Sequence, residues 1–339
     1  MFGLRTRLRA ARRRLLRRIR PRPCPVILMY HRIAEPSYDP WGLSVSPANF
    51  EDQLLWLSRG RRLVPMDALV AGLARGELTG REVAITFDDG YVDNLTVAKP
   101  LLERVGAPAT VFVTTQRLGA TDEFWWDELS HMCLGADSTI DAEVELAGQK
   151  LRVKWDAHEP AAATAWFWST PPRTERERIY LELWRSLQRL DEAARSEAMS
   201  SLRQQLGTKL AAAGNLPMRA EDVPALLAGG LIRVGGHARN HLALTALPSE
   251  AKRAEIELCK RELELLARLS ITGFAYPFGD RDEEAKAFTR QAGYTWAVST
   301  RSAAIDPENY DLFDLPRLQA LNFTGAELLE HISQLERAA

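Results

Sequence analysis

Two adjacent carboxylates, Asp88 and Asp89, stand in the run TFDDGY (86–91), directly after the apolar stretch VAITF at 83–87. Like charges side by side repel unless a cation lies between them, and a divalent metal would supply one. Further along, His237 and His241 are spaced His-x-x-x-His, about one turn apart, after the run LIRVG at 231–235. One carboxylate with two imidazoles, leaving a position open for water, is the usual ligand set of a hydrolytic zinc site. His31 likewise ends an apolar run, VILMY at 26–30. Taken singly these signals are weak, because a His-x-x-x-His pair arises by chance in many proteins and Asp-Asp-Gly is most often a solvated turn. What they share is position. Each follows a run that reads as a buried strand, and in α/β barrels the carboxyl ends of the strands gather on one face, where active sites are assembled.

The elements that must position these residues follow one rhythm. After VILMY, Ser46-Pro47 opens a helix with serine as cap and proline at its first position. A brief strand at 62–64, a short helix at 66–73 and the strand 83–87 come next. A helix over 93–104, closed by Gly106, leads to a strand at 110–113. The rhythm returns with a helix at 221–228, the strand 231–235, a long helix at 248–269, a strand at 273–276, a helix at 282–291, a strand at 295–298, an extended segment at 315–318 and a last helix at 324–336. Strands alternating with helices predict a parallel sheet wrapped by helices, hence a distorted α/β barrel. No internal repeat is present.

The stretch 119–219 breaks this pattern and reads as a mainly helical insertion. It holds six of the nine tryptophans (Trp125, Trp126, Trp155, Trp166, Trp168 and Trp184), a hairpin over 144–155 turning at Gly148-Gln149, and charged helices over 174–206. Its tryptophans have three readings: packing, a sugar platform or a membrane-facing surface.

In the order TFDDGY, GGHARNH (235–241) and AYPFG (275–279), the three motifs resemble the signature blocks of the polysaccharide deacetylase superfamily, the NodB-homology domain. The resemblance covers about 26–118 and 220–320. It implies Asp88 as general base and Asp89, His237 and His241 as ligands of a divalent metal, most often Zn²⁺. It also implies that the backbone N–H of Phe278 holds the oxyanion, with Tyr91 and Pro277 shaping the pocket, and that the reaction removes an N-acetyl or N-formyl group from an amino sugar in a polysaccharide. An arginine-rich arm at 1–23 is what adds a lipid-linked glycan as a candidate substrate.

The chain departs from that family's pattern in three places. The arginine that often precedes the proline of the third block by two residues is replaced by Ala275, and Arg317 in LPRL is the candidate substitute, with a surface ion pair as the alternative. Ala238 replaces the threonine that usually follows the first histidine, and the proline after the second is absent. The C-terminal strand ending in His-Asp, which provides the general acid, is missing too. His331 falls within the last amphipathic helix and reads as a surface residue. VILMYHRI instead resembles the circularly permuted, exopolysaccharide-modifying members of the family, in which the histidine-bearing strand comes first. That makes His31 the candidate acid, and imidazole suits the role as a type that changes charge near neutral pH. His131 and His158 lie in the insertion and receive no role. An inert carbohydrate-binding scaffold, or a deacylase of esters or non-sugar amides, is the competing reading.

Charge and composition bound the rest. Residues 1–22 hold ten arginines and no acid, leaving 34 basic against 45 acidic residues in the remainder. Leu4, Leu8, Ala11, Leu15 and Ile19 recur at helical spacing among those arginines. The arm 1–23 therefore reads as an amphipathic helix for anionic lipid, with an inert arm and a nucleic-acid arm as alternatives. An acidic body argues against nucleic acid. No apolar run suffices for a membrane helix, arginines interrupt any secretory signal, and three scattered cysteines exclude a disulfide framework. The expected location is the cytoplasm, or the inner face of the membrane. The expected organisation is the arm 1–23 followed by one deacetylase domain over 24–339, interrupted at 119–219.

Overall fold

Continuous apolar runs suit strands covered on both faces, and they form the centre of one parallel sheet here. The computed structural model describes residues 24–135, 139–146, 149–156, 166–207 and 213–338; the arm 1–23 and His158 lie outside them. The strands of the main sheet and of the insertion's hairpin are β1 (Val26–Tyr30), β2 (Arg62–Leu63), β3 (Glu82–Phe87), β4 (Ala109–Val113), the hairpin strands β5 (Ile140–Leu146) and β6 (Gln149–Trp155), then β7 (Ile232–Gly236), β8 (Gly273–Ala275), β9 (Trp296–Val298) and β10 (Leu318–Gln319). The helices are α1 (Pro47–Gly60), α2 (Met66–Arg75), α3 (Lys99–Val105), α4 (Trp125–Leu134), α5 (Glu175–Gln188), α6 (Glu192–Leu206), α7 (Asp222–Leu227), α8 (Ser249–Ala267), α9 (Glu283–Gln291) and α10 (Gly325–Ala338).

All pairings in the main sheet are parallel, in the order β9-β8-β7-β4-β3-β1-β10, with β2 beside the start of β3. A parallel bridge between Val298 and Leu315 brings the segment entering β10 against β9, so the two ends of the sheet meet through it. This is the distorted barrel expected from the alternating pattern. Every residue of β1, β3 and β4 is buried.

Local chemistry accounts for several helix ends. Ser46 accepts a hydrogen bond from the Asn49 N–H, with Pro47 opening α1, and Gly106 takes a left-handed conformation (φ 65°) after α3. The single helix expected over 93–104 divides in two. Residues 94–98 form a π turn, with the Lys99 N–H bonded to the Asn94 carbonyl, before α3 begins. Pro100 has no amide to donate to the carbonyl four residues back, which favours the wider turn.

The insertion carries a core of its own. Trp125, Trp126, Trp155, Trp166 and Trp184 are buried in it with Leu129, Ile179, Leu183 and Leu202. Trp168 is the exception at 42% exposure. Packing is therefore what five of the six tryptophans do. The hairpin strands pair down to Leu146 and Gln149, so Gln149 belongs to a strand rather than to the turn. Cys24, Cys133 and Cys259 are buried free thiols. Among the described residues no helix is long and apolar enough to cross a membrane.

Candidate active site

The register of the sheet assembles the site. Tyr30 pairs with Phe87 and its carbonyl accepts from the Asp88 N–H at 2.9 Å, so His31 and Asp88 leave neighbouring strand ends together. His31 Nε2 lies 4.0 Å from Asp88 Oδ2. Asp89 and Gly90 then take positive φ (74° and 83°), which turns the chain sharply and separates the directions of consecutive side chains. Asp88 and Asp89 are both buried.

His237 and His241 converge by a loop, not by the turn of helix that their spacing suggested. The backbone after β7 passes through left-handed positions at Ala238 (φ 59°) and His241 (φ 53°). Glu255 of α8 pins this loop by accepting from the N–H groups of Arg239 (3.0 Å) and Asn240 (2.8 Å). Arg195 of α6 grips it from the insertion, donating to the carbonyls of Asn240 (3.0 Å) and His241 (3.4 Å). The Trp126 ring packs 4.7 Å from that of His241.

Three donor atoms meet at one point. Asp89 Oδ1 is 3.4 Å from His237 Nε2 and 3.3 Å from His241 Nε2, and one donor atom from each residue lies within 4.8 Å of the others. Ligands at about 2.1 Å around a tetrahedral ion stand roughly 3.4 Å apart. The ring nitrogen His237 Nδ1 donates to the Ala275 carbonyl at 2.8 Å, because a carbonyl only accepts; the neutral ring then presents its Nε2 lone pair to Asp89. Asp89 Oδ1 is buried and has no hydrogen-bond partner among the described residues. The His237 lone pair and the His241 Nε2 atom around an unpartnered carboxylate oxygen fit a divalent cation.

Electrostatics separate the two carboxylates. Burial raises the Asp88 pKa, but the Arg317 guanidinium, aided by His237 and His31, holds it below the ordinary value. Burial acts on Asp89 in the same way, and the His237 and His241 rings outweigh it. The His241 imidazole is pushed down to about 4 by burial, against the pull of Asp89. His237 is raised instead, because Asp88 and Asp89 together outweigh its burial.

Arg317 is fully buried and not a surface ion pair. It bonds both Asp88 oxygens at 2.6 Å through Nη1 and Nη2, while its Nε donates to the Ser299 carbonyl at 3.0 Å and its Nη1 to Thr86 Oγ1 at 3.1 Å. The guanidinium thus lies against Asp88, the contact expected of an arginine that stands in for the one Ala275 replaces.

A cavity of about 520 Å³ opens beside these groups, lined on one side by His31, Asp88, Asp89, His237, His241 and Phe278. Phe278 (φ 57°) packs its ring 4.5 Å from that of His241. Tyr91 and Pro277 do not line the cavity, contrary to expectation. The turn at Asp89-Gly90 sends Tyr91 into the insertion's core, where its hydroxyl donates to Asp127 (2.6 Å) and accepts from the Trp126 indole (2.8 Å). Pro277 is buried in the wall behind Phe278. His331, read as a surface residue, lines the cavity instead. Arg195, Trp41 and Gln188 were not singled out from sequence. A buried arginine on an amphipathic helix is indistinguishable there from an exposed one.

The sequence pattern described as polysaccharide deacetylase matches residues 75–207 and 203–297. Among curated proteins, YxkH of Bacillus subtilis (strain 168), named for the same family, is 32% identical over 108 residues, which is 31% of this chain and 37% of that protein's length. Among solved structures, IcaB from Ammonifex degensii aligns with a TM-score of 0.55 at 18% identity, covering 93% of this chain and 97% of its own. The Streptococcus pyogenes deacetylase PplD, solved in complex with acetate, aligns at 0.53 and 19% identity, covering 91% and 98%. The structural likenesses carry the fold, and the sequence match decides the family. The chain belongs to the polysaccharide deacetylases.

Proposed function

We propose that this protein is a metal-dependent hydrolase that removes N-acetyl or N-formyl groups from an amino sugar in a polysaccharide or lipid-linked glycan. The observation that carries the reading is the convergence of Asp89, His237 and His241 on one point beside an arginine-held Asp88. Asp89, His237 and His241 would hold the metal, with Zn²⁺ the best match to a ligand set of one carboxylate and two imidazoles. A divalent ion bound there supplies Lewis acidity, polarising the acyl carbonyl and lowering the pKa of water.

This chain's own groups do the rest. Asp88, kept ionised by Arg317, accepts the proton of the attacking water. The Phe278 N–H donates to the oxyanion as the carbonyl carbon becomes tetrahedral. His31 gives a proton to the departing nitrogen as the C–N bond breaks, leaving a free amine on the sugar and a carboxylate product. An inert scaffold would have no reason to keep Asp88, Arg317 and all three ligand groups in this arrangement.

Metal analysis of the purified protein, coupled to acetate and formate release from N-acylated oligosaccharides and lipid-linked sugars, tests the reading. Stoichiometric zinc with release from an amino sugar is the expected result. Release from esters alone would change the bond, and no release with a loaded site would leave a scaffold.

The arm 1–23 is proposed to lie on anionic lipid at the cytoplasmic face of the membrane, on the strength of its ten arginines and its helical apolar spacing. Sedimentation with anionic liposomes compares the full chain with one starting at Pro23. If both stay in the supernatant, the membrane proposal is lost and the hydrolase proposal is untouched.

A further inference from the structure

A second cavity, of about 740 Å³, adjoins the one beside the metal ligands, and both are walled by Trp41, Trp168, Trp184 and Gln188. Three of these form an aromatic bridge: Trp41 stacks on Trp168 with ring centroids 5.2 Å apart and meets Trp184 at 4.1 Å. Helix α5 explains how the wall continues. Trp184 and Gln188, four residues apart, form one ridge of the helix and face both cavities. Arg185 and Arg189 form the neighbouring ridge and line only the second.

The charges in that cavity do not cancel. Glu182 accepts from Arg178 at 2.9 Å, and Lys150 pairs with Glu143 at 2.7 Å. Arg185 and Arg189 are exposed, and no carboxylate among the described residues pairs with either. Two unneutralised guanidinium groups half a nanometre or so apart along one helix (about 1.5 Å per residue) offer bidentate sites for carboxylate or phosphate. Trp168, the exposed end of the bridge at 42%, leads up to them and suits the apolar face of a sugar ring, while Trp184 backs it from the core.

We propose that the insertion builds this second cavity as an extended subsite for the substrate, and that it takes a segment of glycan bearing negative charge at Arg185 and Arg189. The proposal rests on the deacetylase reading and narrows its substrate from glycans in general to anionic ones.

The test is titration calorimetry on the full-length, zinc-loaded protein with three probes. They are a hyaluronan hexasaccharide (alternating uronate and N-acetyl amino sugar), neutral N-acetylchitohexaose, and UDP-N-acetylglucosamine, whose diphosphate separates phosphate from carboxylate as the charge recognised. At least one anionic probe is expected to bind about tenfold or more tighter than chitohexaose at low salt, with the gap closing as salt screens it. R185Q/R189Q is expected to erase that advantage, with a melting curve that shows the fold retained. Equal affinity for neutral and anionic probes, or a preference that survives in R185Q/R189Q, would overturn the proposal. Acetate release is assayed separately on the same glycans. Release without any anionic preference sinks only the subsite, whereas anionic preference without release sinks only the hydrolase.

Discussion

Arg317 and Asp88 are 229 residues apart in sequence and joined by two parallel hydrogen bonds of 2.6 Å, with neither side chain open to solvent. Such a fork holds the carboxylate in one orientation and in its ionised form. If Asp88 is the base, activity needs that ionised form and falls as pH drops through its pKa. Removing the cation lets burial dominate and raises that pKa, so R317M should move the acidic limb of the pH–rate profile to higher pH. Arg317→Lys should recover the charge but not the fork, giving an intermediate profile. R317M also leaves a buried carboxylate uncompensated, at a cost of roughly 3–5 kcal/mol in unfolding measurements. An unmoved acidic limb would remove Asp88 from the role of base.

Asp88→Asn and substitutions of the two candidate ligand histidines should separate cleanly. D88N is expected to keep its metal and lose hydrolysis by roughly 10²–10⁴-fold. H237A and H241A are expected to lose metal in elemental analysis. Loss of metal in D88N would mean that the two aspartates have been assigned the wrong way round.

His31→Ala should slow amide hydrolysis by a similar factor, roughly 10²–10⁴-fold, if His31 protonates the leaving amine. An activated ester such as p-nitrophenyl acetate needs no such proton, so its hydrolysis should fall far less. Equal losses on both substrates would return His31 to a packing or binding role.

Chelation of the metal should lower the melting temperature together with activity, and zinc should restore both. A ligand at a hundred times its Kd stabilises the folded state by about 2.7 kcal/mol. Unchanged melting after complete removal would argue that the Asp89, His237 and His241 cluster is not where the ion binds.

Arg195→Met should weaken metal binding about 10–100-fold in competition with a chromophoric chelator. The carbonyls of Asn240 and His241 lose their donors in that variant, and His241 must hold a left-handed conformation without them. R195K should recover part of the affinity. An R195M protein that melts lower but binds zinc normally would make Arg195 a matter of packing alone.

Much of this was legible in the sequence because a parallel strand buried on both faces is written as an unbroken apolar run. VILMY and VAITF announced β1 and β3, and the residues that follow them, His31 and Asp88, therefore fell on one face. Arg317 was a candidate only through the family resemblance, which puts Ala275 where an arginine is usual, and sequence left a surface ion pair as its alternative. Other features depended on single torsions. Two positive φ values at Asp89 and Gly90 aim Tyr91 away from the cavity, and residue types alone do not state them. His331 was misread because its helix's apolar spacing marks which face packs, not what lies beside that face. Arg195 and Arg185 look alike on their helices, yet one is buried against the ligand loop and the other faces an open groove.

The grip of the insertion on the His237–His241 loop ties two modules together. Arg195 reaches across from α6 to the carbonyls of Asn240 and His241, so a change inside the insertion is felt at two imidazoles that the barrel itself supplies. A chain spliced from residue 118 to residue 220 would lack Arg195 and with it both donors to that loop.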